Sequence, residues 1–410
     1  MRVVIIGGGV IGLTAAYHLV RDGIEVTVVD ARATSGGASE VNAGWVCPAE
    51  SGPVPAPGMI SQALRWMLRS DSPLYLRPSL DPSFLRFMLA MARHCNRSDY
   101  RSGMQALMRL SEGTMEHLDA YRQDGLDFEM HAQGLLMTFL SAAKLQAHLA
   151  DVDIAESAGL DPQVLEGDAV REHEPALSDR VHAGVYYPHE RHLDPAALGQ
   201  ALRARCRELG VEVVEGAPIE HVERTGPRIA AVETGGRRLT ADAFLLAAGA
   251  WSGDLAKRFG HSLPVRPGKG YSLDLPPLEL GQPIYLTEAK VAVTPLDARL
   301  RLAGTMEFGP LDEHVDPVRA RTIGRAPSSF LREWRTPADP ELGAGLRPMS
   351  PDGLPLIGRL GDLENAYVST GHAMLGLTLA PASAAAISRL IVRGEQAPVL
   401  APFAPDRFGR

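Results

Sequence analysis

The stretch "RVVIIGGGVIGLTAAYHLVRDGIEVTVVD" at residues 2–30 restricts the possible folds more than any other part of the chain. Val3 to Ile6 form a short continuous apolar run, as expected of a parallel strand buried on both faces. Gly7, Gly9 and Gly12 follow in the spacing G-x-G-x-x-G. Helix-like sequence runs from Val10 to about Arg21, Gly23 fits a stop, and Glu25 to Asp30 reads as a second strand. A strand, a glycine turn, a helix and a second strand ending in an acid together predict a dinucleotide site. Gly7 permits the tight turn, Gly9 lets the backbone approach a pyrophosphate, and Gly12 allows close helix–strand packing. The helix N-terminus then faces the phosphates. Asp30 suits a ribose hydroxyl and repels a 2′-phosphate, which disfavours NADP.

This motif alone does not separate NAD from FAD. The C-terminal "NAYVSTGHAMLGLTLAPASAAAISRLIVRG" predicts a strand over Ala366 to Ser369, a turn at Gly371 and a helix running to about Val392. Glycines at 371 and 376 would let amides at that helix start approach an anionic group. A helix N-terminus there would favour the charge that develops on a reduced flavin. A helix that only packs on the sheet explains the same glycines.

Composition narrows the function classes. The chain has 410 residues, 45% apolar and 22% charged, which is globular and large enough for two or three domains at about 150 residues each. A net charge of −8 argues against nucleic-acid binding. Cys47, Cys95 and Cys206 form no C-x-x-C pattern, so neither a disulfide framework nor a metal site is expected. Glycines interrupt the N-terminal apolar run too early for a signal peptide, and no segment is long and apolar enough to span a membrane. A cytoplasmic location is expected, with any membrane contact peripheral.

Between the termini the character of the sequence alternates. Residues 31–58 are rich in Gly, Ala, Ser and Pro and form a long functional connection, in which Ser39, Asn42, Ala43 and Gly44 are small enough for backbone to touch a cofactor. Residues 59 to about 175 read as mostly helical. Within them, "MISQALRWMLRSDSPLYLRPSLDPSFLRFMLAMARHC" mixes Trp66, Phe84, Phe87, Met88 and Met91 with Arg65, Arg69, Arg86 and Arg93. That pattern fits a helical lid or core, or an interfacial membrane helix. Asp194 and Pro195 start a helix as N-cap and first residue. "VEVVEG" and "ADAFLLAAGAWSGDL" restore βαβ character, the second giving a buried strand that ends at Gly249. From Pro264 to Trp334 the pattern is antiparallel. "HERH" at 189–192 reads as a surface or capping loop. In "GLRPMSPDGLPLIGRL" at 345–360, three prolines fix the backbone around Arg347 and exclude a helix or a central strand.

Together, "GGGVIG", "NAGWVCP", "PGM…ALRWM", "GKGYSL", "KVAVTPLDARLRLAGTMEFG", "GLRPMSPDGLPLIG" and "STGHAMLG" resemble the FAD-dependent D-amino acid oxidase superfamily. The nearest resemblance is to the bacterial D-amino acid dehydrogenase small-subunit group, with D-hydroxyproline dehydrogenases and glycine oxidases as relatives. It implies an α/β (α+β overall) architecture: a Rossmann-like FAD-binding domain over 1–58, 176–263 and 345–410, interleaved with a substrate domain of antiparallel sheet plus helices over 59–175 and 264–344. It implies non-covalent FAD held by Gly7, Gly9, Val10, Ile11, Gly12, Asp30 and Ala31, by Ser39, Asn42, Ala43 and Gly44, by Ala248 and Gly249, and by Gly371, His372, Leu375 and Gly376. Arg347 would pair with a substrate carboxylate, Tyr271 would donate to the same group, and His372 would contact the flavin or line the pocket. No obligatory general base is implied.

The implied reaction is oxidation of a small D-amino acid, with electrons passed to a quinone-like acceptor. An oxygen-using oxidase of glycine, sarcosine or a cyclic secondary amine, and a subunit active only in a hetero-complex, are the alternatives. No cysteine lies in the C-terminal third to attach a flavin covalently. Two departures are visible: Asp30 stands where the family often has Glu, and "YYPHERHLDP" differs from the "DETGD"-like sequence of the bacterial dehydrogenases.

Overall fold

The computed structural model describes residues 1–32, 36–61, 72–336 and 338–409. Arg65, Trp66 and Arg69 of the expected lid lie outside them. Thirteen strands are needed to follow the architecture. In chain order they are β1 (Arg2–Ile6), β2 (Glu25–Val29), β3 (Leu135–Phe139), β4 (Ala183–Tyr187), β5 (Glu212–Val214), β6 (Ala243–Leu246), β7 (Arg266–Leu275), β8 (Ile284–Leu286), β9 (Val291–Leu296), β10 (Arg299–Phe308), β11 (Glu341–Met349), β12 (Leu356–Arg359) and β13 (Ala366–Thr370). The helices used below are α1 (Val10–Arg21), α2 (Arg97–Ser111), α3 (Ala142–Ser157), α4 (Pro195–Glu208) and α5 (Gly376–Arg393).

Among the described residues, six strands form one sheet in the order β5-β2-β1-β6-β13-β12. All its pairs are parallel except β12 against β13. Its central strands are continuous apolar runs because both faces are covered. One face packs on α1, α4 and α5; the other packs on the hairpin Ile219–Thr234 and the helix Ser252–Arg258. Gly12 is where α1 crosses closest to β1: a Cβ there would stand 1.9 Å from the Gly7 carbonyl oxygen. The expected bounds of α1 agree with the structure, and Asp194 caps α4 by accepting from Ala196 and Ala197 N–H.

A second, nine-stranded sheet runs β11-β7-β10-β9-β8-β3-β4 and on to Gln163–Glu166, with Leu74–Leu76 paired to β10. Residues 59–175 are therefore less helical than expected, since β3 and three shorter strands interrupt them. β3, "LLMTF", is buried at every position, so it lacks the alternation that marks a half-exposed strand. The "HERH" segment also differs from expectation. Arg191–Leu193 is a strand, Glu190 and His192 are buried, and His192 stacks on His131 at 4.8 Å. Residues 345–360 form neither a helix nor a central strand, as their prolines require: they supply the end of β11, at the edge of the second sheet, and β12, at the edge of the first. Edge positions are where prolines can sit in a sheet. Among the described residues no helix is long and apolar enough to cross a membrane.

One buried side chain ties the glycine-rich connection to the second sheet. Arg301 on β10 donates to both Asp274 oxygens, at 2.7 and 2.6 Å, and to the carbonyls of Glu40 and Asn42 at 2.6 and 3.2 Å. Arg299 keeps a second contact to Asp274, at 3.2 Å, so loss of Arg301 would not leave that acid bare. Arg301→Met should still remove about 3 kcal/mol of stability, the lower end for breaking a buried pair, as read from urea unfolding. A loss below about 1 kcal/mol would show that the connection holds itself.

Candidate active site

A cavity of about 960 Å³ opens beyond the carboxyl ends of β1, β2, β6 and β13 and continues over one face of the second sheet. This is where ligands bind in open α/β sheets. Gly7 turns the chain out of β1 at φ +115°, and a Cβ there would stand 2.4 Å from the Ala247 carbonyl oxygen. Gly9 is the extended N-cap of α1, and Val10 N–H donates to Ser39 Oγ at 3.1 Å. Asp30 accepts from Gly8 N–H at 2.6 Å and from Arg32 N–H at 2.8 Å, which fixes the glycine turn against the end of β2. Each carboxylate oxygen keeps capacity for a further donor.

Gly7, Gly9, Val10, Ile11, Asp30, Ala31, Ser39, Asn42, Ala43, Ala248, Gly249, His372, Leu375 and Gly376 all border the cavity. Gly12, Gly44 and Gly371 are not among the bordering residues. Gly12 serves helix packing. Gly44, at φ +78°, lies where a Cβ would stand 2.3 Å from the Leu193 carbonyl oxygen, and Gly371 turns the chain at the same φ. Asn42 folds its own loop, donating to the Ala38 carbonyl and accepting from Gly44 N–H.

Over the second sheet the cavity floor is a row of small residues. Ala303, Ala292 and Tyr285 are direct cross-strand neighbours on β10, β9 and β8. Side chains on this face alternate with the large apolar ones of the opposite face, such as Val291, Val293, Leu300 and Leu302. Arg347 reaches across this floor from edge strand β11. Its Nη1 donates to the Thr305 carbonyl at 2.8 Å, and among the described residues no carboxylate pairs with it. Gly270 makes the path: a Cβ there would stand 2.1 Å from Nη1 of Arg347. Burial pulls the guanidinium pKa down to about 10, against the opposing pull of Tyr285.

Thr305 holds φ +63°, which is strained for a β-branched residue, at a bulge where β10 carries one residue more than β7 between Lys269↔Glu307 and Tyr271↔Gly304. Among the described residues the other non-glycine positions with positive φ, Lys290 and Ala373, also border the cavity. Strained backbone gathers at such sites.

Tyr271 does not reach this floor, contrary to the donor role expected of it. Gly270 occupies the cavity face of β7, so Tyr271 points to the other side, into the core with Leu273, where its hydroxyl donates to Glu307 Oε2 at 3.0 Å. Tyr285 is the phenol on the cavity floor, with Trp45 edge-on to it at 5.7 Å, and Tyr100 borders the cavity as well. Only its place in an "IYL" strand beside small residues could have revealed it. His372 is buried, its Nε2 lies 3.3 Å from Ser383 Oγ, and among the described residues its Nδ1 has no partner. Burial lowers its pKa to about 3, so the ring is neutral near pH 7. Sequence reasoning also missed Glu50, His148, Asp151 and Lys290, which border the far end of the cavity.

The residues present fit FAD. A glycine cradle that side chains would fill, the amide end of α1, an acid after β2 and the start of α5 border one continuous cavity. Residues 2–390 match the family described as FAD dependent oxidoreductase (DAO). A curated relative, the D-amino acid dehydrogenase of Chromohalobacter salexigens, is 35% identical over 401 residues, covering 95% of this chain and 96% of its own. The D-amino acid dehydrogenase of Cereibacter sphaeroides is 34% identical over 400 residues, covering 95% and 92%. Among solved structures, glycine oxidase from Geobacillus kaustophilus superposes with a TM-score of 0.76 at 22% identity, covering 99% of each chain. L-proline dehydrogenase from P. horikoshii gives 0.75 at 19%, covering 99% and 97%. The match over nearly the whole chain and the cradle built at the strand ends agree: the chain belongs to the FAD dependent oxidoreductase (DAO) family, and FAD is its cofactor.

Proposed function

We propose that the protein oxidises a D-amino acid at Cα to the imino acid, which water converts to a keto acid and, for a primary amine, ammonia. The observation that carries this reading is Arg347, a guanidinium bordering the cofactor cavity with no carboxylate partner among the described residues. The dehydrogenase name of the curated relatives supports the D-enantiomer and a quinone-like electron acceptor in place of oxygen. We place the cofactor on the first sheet and the substrate on the second, dividing the chain as the sequence suggests.

FAD bound in the cavity supplies the hydride acceptor. The chain's own residues bind and orient the substrate. Arg347 presents two parallel N–H donors to the carboxylate, and the Thr305 carbonyl holds the guanidinium in place. Gly270 keeps that position open. Tyr285 stands further along the floor, past Ala292, with the Lys290 ammonium over its ring. His372 stays neutral, so it neither repels a cationic amine nor takes its proton at neutral pH. Met137, Pro53, Leu74 and Leu346 wall the site against water.

The visible spectrum of the holoenzyme, held anaerobically, tests the reaction. D-amino acids should bleach the flavin band and L-amino acids should not. Bleaching by glycine or sarcosine alone would overturn the D-amino acid assignment. Arg347→Ala should raise KM about a hundredfold, the worth of two charge-assisted hydrogen bonds, while FAD stays bound. Gly270→Ala should raise KM in the same direction, because the new methyl displaces the guanidinium. An unchanged KM in both would remove Arg347 from the site. Asp30→Ala leaves two backbone donors without an acceptor and should weaken FAD retention about tenfold or more, measured by flavin release on dilution.

A further inference from the structure

The cavity extends well beyond what one small amino acid needs. The Arg347 guanidinium ends at Thr305 on β10, whereas Tyr285 stands on β8, with β9 between them. Neighbouring strands lie about 4.8 Å apart, so the floor from anchor to Tyr285 covers roughly 10 Å. Ala303 and Ala292 pave that floor with methyl groups, which leaves the space above them open.

Beyond Tyr285 the lining becomes charged. Glu50 ends the 3₁₀ turn Pro48–Glu50, His148 and Asp151 come from α3, and Lys290 precedes β9. Asp151 is partly satisfied: Tyr100 on α2 donates to it at 3.1 Å, and His148 Nδ1 lies 3.5 Å away. Lys290 holds its ammonium over the Tyr285 ring at 5.6 Å. Among the described residues the Glu50 side chain makes no hydrogen bond and no ion pair. Burial and Asp151 raise its pKa, against the pull of His148 and Lys290. Two acids thus face one lysine.

Packing orders these groups along the cavity. Ala49, the neighbour of Glu50, packs with α3, which carries His148 and Asp151, against β3 and β4, and these strands lie beyond β8 from β10. Glu50 therefore lies past Tyr285 from the anchor. An α-amino group, two bonds from the carboxylate carbon, stays beside Arg347 and does not reach it. The end of a long side chain does.

We infer that this far end selects amino acids whose side chain ends in a cationic amine or guanidine, with Glu50 receiving that head group while Arg347 holds the carboxylate. The inference rests on the anchoring role proposed for Arg347. A lysine-length chain lies over Ala303 and Ala292 and passes Tyr285 with its methylene groups on apolar surface. Its ammonium gives Glu50 the cation that no neighbour supplies at contact distance.

The test separates this inference from the reaction itself. 6-Aminohexanoate and hexanoate both offer a carboxylate to Arg347, lack an α-amine and so cannot be oxidised, and differ in the terminal ammonium. Their affinity for the holoenzyme is measured by calorimetry, in the native protein and in Glu50→Gln, alongside the kcat/KM ratio of D-lysine to D-norleucine. In the native protein 6-aminohexanoate should bind about tenfold to a hundredfold tighter than hexanoate, and D-lysine should be preferred by a similar factor. In Glu50→Gln both gaps should close. Equal binding of the two acids, or a gap that survives in Glu50→Gln, overturns the inference and leaves the reaction untouched. If neither acid binds while D-amino acids still bleach the flavin, the Arg347 anchor fails and the inference falls with it. If the gap appears and closes as expected while no D-amino acid bleaches the flavin, the pocket stands and the reaction fails.

Discussion

A guanidinium taken from water without a counter-charge is costly, and much of the second sheet is arranged around that one cost. Among the described residues the Arg347 guanidinium has the Thr305 carbonyl and, at 4.0 Å, the Met306 sulfur, and that carbonyl is available because β10 carries an extra residue at a left-handed threonine. Gly270 removes the side chain that would otherwise fill the guanidinium's place. Burial lowers the pKa of the group, and in the proposed reaction the substrate carboxylate restores what burial takes away. A site that is under-satisfied when empty binds its anion with more selectivity than one already neutralised by a protein acid.

The same economy explains the cavity. Small residues occupy one face of β7, β9 and β10 while the other face carries the large apolar core, so one sheet supplies both a packed interior and an open floor. On the cofactor side the logic is backbone approach, with Gly7 and Gly9 leaving room that any Cβ would reduce. The left-handed Lys290, Thr305 and Ala373 all border this space, each at a cost of order 1–3 kcal/mol that packing elsewhere must offset.

Local features with a fixed chemistry were the legible ones. The glycine turn, α1, Asp30 and the cap at Asp194 each stand where short-range rules put them, because each depends on neighbours a few residues away. What was not legible depends on the pairing of distant strands. Tyr271 and Tyr285 both sit in strand-like sequence, and only the pairing of β7 with β11, and of β8 with β9, decides which phenol faces the cavity. Glu190 and His192 read as surface residues because charged groups usually are. The pairing of Arg191–Leu193 between Trp45–Val46 and Met130–His131 buries them. Glu50 stands in a proline-rich connection whose path no periodicity encodes.

The prolines around Arg347 take their meaning from the two sheets together. β11 ends the second sheet and β12 ends the first, and only Ser350 to Pro355 separate them. That connection is rigid: Ser350 Oγ donates to the Leu354 carbonyl at 2.6 Å, and Asp352 accepts from Leu354 N–H and from two nitrogens of Arg407. Ala373 N–H, in the turn that borders the cofactor cavity, donates to the Pro348 carbonyl at 3.0 Å, one residue from the anchor. The distance between the proposed carboxylate anchor and the turn at Ala373, which borders the cavity that would hold the cofactor, is therefore set through one short, braced segment and one direct hydrogen bond. Transfer from Cα is steeply sensitive to that distance, and an error of about 1 Å can cost a hundredfold in rate. Rigidity at 345–360 is placed where the proposed reaction is least tolerant of play: the sheet that would hold the substrate and the sheet that would hold the cofactor are joined through it, edge to edge.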